Sequence, residues 1–79
     1  MSLKSNIVHR YFKKEMADGK ILLKVDPVHL TGNELLVSND GETSKRALAF
    51  DEQIWDDLEV DAFEEVSAME FNLYSSGLL

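Results

Sequence analysis

The densest chemistry in this chain is a run of carboxylates. Asp51, Glu52, Asp56, Asp57, Glu59, Asp61, Glu64 and Glu65 fall close together, with Ile54, Trp55, Leu58, Val60 and Phe63 between them. Acids interleaved with large apolar side chains mark a folded amphipathic segment, unlike the uniformly polar tails that stay unstructured. Such a surface repels phosphates, so direct nucleic-acid binding is not expected, and it suits a basic protein partner instead. Trp55, Asp56, Asp57, Glu59 and Asp61 are the candidate recognition residues. In its sharpest form, carboxylates spaced along a helix would occupy the phosphate groove of a nucleic-acid-binding protein. The same oxygens could in principle ligate calcium or magnesium. Neither this run nor Asn39-Asp40-Gly41-Glu42 matches the Asp-x-Asp-x-Asp-Gly spacing of a cation loop, so no metal and no cofactor is expected.

A second constellation supports an alternative. On a helical projection Glu15 falls beside Val8, Tyr11 and Phe12 in an apolar stripe, where burial would raise its pKa and suit it to acid–base work. With Tyr11 and His29 it would form a pocket between an N-terminal helix and a sheet, fit for a small ligand or a simple acid–base enzyme. His9 and His29 are the only histidines, and they lack metal-ligand spacing. Nucleophilic catalysis has no support, since there is no cysteine, no Gly-x-Ser-x-Gly and no phosphate-cradling glycine loop. The function that the residues point to is thus a non-enzymatic interaction or regulatory module. The third reading is a structural subunit of a larger assembly, docking through Gly77-Leu78-Leu79.

The elements that would position these residues follow from periodicity and punctuation. Ile7, Val8, Tyr11, Phe12 and Met16 recur at three- and four-residue spacing, predicting a helix over Leu3–Ala17 stopped by Asp18-Gly19. It would gather Arg10, Lys13 and Lys14 on its outer face. Lys20–Asp26 reads as a strand ended by Pro27. Glu34–Ser38 and Thr43–Phe50 read as a hairpin around Asn39-Asp40-Gly41-Glu42. Asp51 can cap a short acidic helix with a plausible break at Val60-Asp61. Alternation of Met69, Phe71 and Leu73 predicts a last strand over Ala68–Tyr74. The expectation is an α+β fold in the order α-β-β-β-α-β, with a mainly antiparallel sheet of three or four strands and the first helix on one face.

Length bounds the rest. A chain of 79 residues is expected to form one small domain over 1–79. Such a domain buries only about 60% of its unfolded surface, which favours association, here a homodimer. No apolar run approaches the ~20 residues of a membrane span and no secretory leader is evident, so a cytoplasmic protein is expected. The net charge of −7 is polarised. All eight bases lie at or before Arg46 among six acids, giving +2, while Ala47 onward carries nine acids and no base, giving −9.

Overall fold

The computed structural model describes residues 8–75. Five antiparallel strands form one sheet: β1 (Arg10–Met16), β2 (Gly19–Asp26), β3 (Thr31–Ser38), β4 (Thr43–Ala49) and β5 (Glu64–Val66), in the spatial order β4-β3-β2-β1-β5. Helix α1 (Ile54–Val60) precedes β5 and helix α2 (Ala68–Ser75) follows it.

Successive residues of β2 point to opposite faces, and both faces are covered. Leu23 and Val25 pack with Phe12 of β1 and with Ile54 and Leu58 of α1. Leu22 packs on the other side with Leu35 of β3 and Phe71 of α2. The sheet is therefore a middle layer with one short helix on each face. Leu22 and Val25 are completely inaccessible to solvent.

The expected N-terminal helix is absent over the described part of its range, and the order α-β-β-β-α-β is overturned. Arg10–Met16 is a strand, paired with β2 from Arg10 opposite Val25 to Met16 opposite Gly19. The cause is two-sided burial. Tyr11 meets Phe71 on one face while its neighbour Phe12 is buried on the other. Adjacent apolar residues then mimic a helical stripe, as happens in any strand covered on both sides. Asp18-Gly19 belongs to a tight hairpin. Strand β2 starts at Gly19, where a Cβ would lie 2.2 Å from the carbonyl oxygen of Val37, so that only glycine permits the approach of β3. The remaining expected helix residues, Leu3 to Ile7, lie outside the described residues, as do Gly77-Leu78-Leu79.

The expected final strand is also overturned, because Ala68–Ser75 is helical. Ser67 Oγ accepts the backbone N–H of Glu70 at 3.1 Å, which caps the first turn. Phe71 then reaches the sheet, and Tyr74, three residues on, shares its face. The apolar alternation of Met69, Phe71 and Leu73 does not describe the packing, since Met69 is 72% exposed.

Other elements match the sequence reading. β3 and β4 pair around the Asn39–Glu42 turn, β2 ends just before Pro27, and α1 ends at Val60. Its end is closed by Phe63 N–H donating to Leu58 O and Ala62 N–H donating to Glu59 O, with Ala62 left-handed at φ 64. Among the described residues no helix is long and apolar enough to cross a membrane.

Two-sided burial has a direct consequence. Leu22→Ala and Leu23→Ala truncate neighbouring residues in separate cores, and each should cost about 2–5 kcal/mol. Urea unfolding of the two variants checks this. A sheet covered on one face only would leave one of them near neutral.

Candidate functional site

The acidic segment is held in place from beneath. Ile54 and Leu58, one turn apart on α1, are buried against Phe12, Leu23 and Val25. Trp55 is half-buried beside Phe12, with ring centroids 6.2 Å apart. The Arg10 guanidinium lies 4.7 Å from the centre of the Trp55 ring and also donates through Nε and Nη2 to the two carboxylate oxygens of Glu65, at 3.0 Å each. One side chain thus joins β1, α1 and β5 by a bidentate ion pair and a cation–π contact. The pairing holds the Glu65 carboxyl below its ordinary range and raises Arg10 further. Both groups are roughly half exposed, so the ion pair itself adds no more than about 1 kcal/mol. Its effect is chiefly on position.

With its apolar side committed to the sheet, α1 turns its acids outward. Asp56, Asp57, Glu59 and Asp61 are all exposed, as are Asp51 and Glu52 before them and Glu64 after. Val60 is exposed in their midst at 83%. Among the described residues, the ion pairs of this half of the chain are Glu65 with Arg10 and Glu70 with Lys13, the latter at 2.6 Å. Among the described residues no cation forms an ion pair with Asp56, Asp57, Glu59 or Asp61. The Asp51 side chain accepts the N–H of Gln53 at 2.9 Å, so it closes the turn ahead of α1 instead of capping the helix itself.

Tyr11, Glu15 and His29 do not assemble into a pocket. Glu15 stands opposite Lys20 at one end of β1, with its side chain 60% exposed and near the ammonium groups of Lys13 and Lys20, at 3.5 and 3.9 Å. Tyr11 is covered by Phe71. His29 lies beyond the far end of β2, in the turn to β3. At ~3.4 Å per residue the five-residue offset from Arg10 to Glu15 alone separates those ends by ~17 Å. The basic pole expected on one helix face is likewise divided. Arg10 and Lys14 point to the α1 side of the sheet and Lys13 to the α2 side, because strand alternation separates what a helix would join.

His29 instead builds its own turn. Its Nδ1 is 2.9 Å from Asp26 Oδ2, and the backbone N–H groups of Val28 and His29 donate to Asp26 Oδ1 at 2.8 and 3.1 Å. The His29 ring contact, followed by these amides, lowers the Asp26 carboxyl to about 2.

One concavity among the described residues was not anticipated by the sequence reading. It is a cleft of about 600 Å³ on the α2 side of the sheet, beyond the part that α2 covers, lined by residues that include His9, Lys24, Asn33, Ala47 and Ala49. Lys24 pairs in register with Asn33, and Asn33 with Ala47, so the lining is a row across three strands. Residues 24, 33 and 47 carry no linear motif, and only the register brings them together. No family model, curated protein or solved structure matches this chain.

Acid should act on the Asp26 turn in a defined direction. The fold favours the ionised carboxylate, so its contribution is complete above the unfolded value of about 3.8 and is lost as pH falls through about 2. Thermal midpoints of Asp26→Asn should accordingly fall less between about pH 5 and about pH 2 than those of the parent chain. Equal falls would separate this turn from acid stability.

Proposed function

We propose that the chain is a protein-interaction module that presents the carboxylates of α1 and its flanks to a basic protein partner. The observation that carries this reading is the contrast between the two sides of α1. One side is fixed by Ile54, Leu58 and the Arg10-clamped Trp55, and the other offers Asp56, Asp57, Glu59 and Asp61 with no ion-pair partner among the described residues. Acids that served only solubility would not need a common rigid support. A fixed array steers a basic surface into one orientation and loses little side-chain and backbone freedom on binding. Val60, exposed among the acids, adds an apolar contact at the centre of the array, where water exclusion strengthens the surrounding charge pairs.

A fluorescence titration with an oligolysine peptide tests the electrostatic part. Binding should weaken steeply as salt rises past the Debye regime of about 0.1 M. Asp56→Asn, Asp57→Asn, Glu59→Gln and Asp61→Asn combined should weaken it by about tenfold or more at low salt. The thermal midpoint should stay level or rise, because like charges are removed from one surface. Undiminished binding by the combined variant would refute the assignment, and sedimentation of the same samples reports whether a second copy is the partner.

A further inference from the structure

The edge strand β4 offers a second surface, separate from the acidic array and opposite to it in charge. Among the described residues it pairs only with β3, and every residue from Thr43 to Ala49 except Leu48 is exposed. Its free hydrogen-bonding groups can be deduced from the ladder. Ser38 N–H donates to Glu42 O, and Phe50 N–H donates to Leu30 O. Both contacts belong to the β3–β4 register, in which Thr31 faces Ala49 and Val37 faces Thr43. In an antiparallel ladder, bonded and non-bonded pairs alternate. Ser44, Arg46 and Leu48 therefore bond to β3, whereas the N–H and C=O groups of Thr43, Lys45, Ala47 and Ala49 point away from the sheet.

Those same four residues direct their side chains to the α2 face, where the cleft lies. Ala47 and Ala49 are small, so the cleft is open directly behind the free edge. Cations outnumber acids there. Lys45 and Arg46 lie on β4, and Thr43–Ala49 contains no acid. Arg46 is bound to Glu34 on the opposite face, at 2.7 Å. Lys45 and Lys24 have no ion-pair partner among the described residues. Asp26 is the one acid in the cleft wall, and its oxygens are engaged by the Val28 and His29 donors. His9 completes the titratable groups of the lining.

We propose that β4 accepts an extended acidic peptide segment as a sixth strand, its backbone bonded to Lys45, Ala47 and Ala49 and its carboxylates directed over the cleft toward Lys24 and Lys45. This is strand addition, in which main-chain bonds supply affinity and alternate side chains supply specificity. The charges also explain the choice of occupant. Two copies of β4 paired about Arg46 would set Arg46 against Arg46, which like-charge repulsion disfavours. An acidic strand meets two cations without ion-pair partners among the described residues, Lys24 and Lys45, against the single carboxylate of Asp26, whose oxygens are already engaged.

The test uses the full chain and two synthetic peptides, one alternating valine and glutamate and the other alternating valine and glutamine, followed by NMR titration. The glutamate peptide should bind and shift the amides of Thr43–Ala49. The glutamine peptide should bind about tenfold more weakly. Ala47→Pro removes an outward N–H without breaking a bond to β3 and should weaken the glutamate peptide by about tenfold. Lys24→Gln with Lys45→Gln should do so while the backbone edge stays intact, which guards against a folding defect in the proline variant. Neutralising Asp56, Asp57, Glu59 and Asp61 should not weaken binding, so this result is independent of the α1 reading. Equal binding of both peptides, shifts confined to other elements, or no binding would each overturn the proposal. So would self-association through β4 that Ala47→Pro abolishes in the absence of peptide binding.

Discussion

Burial on both faces of β2 is the constraint from which the other features follow. Leu22 and Leu23 are neighbours in the chain but belong to different cores, one closed by Phe71 and the other by Ile54 and Leu58. A chain this short cannot fill two cores from the sheet alone, so each face needs a helix. Because α1 must reach Leu23, Val25 and Phe12, its apolar side is fixed inward and its carboxylates are fixed outward. Because α2 covers Leu22 and Leu35, it leaves the row Lys24, Asn33 and Ala47 uncovered. The acidic array and the cleft are both remainders of the same packing problem.

Arg10 adjusts this arrangement more than it stabilises it. Half exposed, it contributes little free energy through Glu65, yet it ties β5, already paired with β1, to the Trp55 ring. A lysine could neutralise Glu65 but could not lie flat on an indole while donating two parallel bonds to a carboxylate. The functional reading therefore depends on the guanidinium's shape as well as its charge.

Local chemistry was legible in the sequence wherever one residue type forces one backbone. Pro27 ended β2, Asp40-Gly41 turned the β3–β4 hairpin, and the amphipathic acids formed α1. The errors arose where tertiary contacts decided. Tyr11 and Phe12 read as a helical stripe because adjacent apolar residues on a strand buried on both faces carry the same spacing. Asp18-Gly19, lying between two apolar runs, carried the same hairpin signal as Asp40-Gly41. Ser67 with Glu70 three residues later was likewise a helix-start signature that the alternation of Met69, Phe71 and Leu73 obscured. At the site level, the acidic block was visible because it is compositional. The Arg10 clamp and the cleft were invisible, since they join residues far apart in sequence through sheet register alone.

The placement of Arg10–Met16 as a strand between β2 and β5 is the claim on which the two cores, the orientation of α1 and the free edge of β4 all rest. Backbone nuclear Overhauser contacts measured by NMR on the intact chain test it directly. The account predicts cross-strand contacts between Phe12 and Leu23 and between Tyr11 and Val66, with no run of sequential amide–amide contacts through Arg10–Met16. An unbroken helical run of such contacts across those residues, without the cross-strand set, would contradict it.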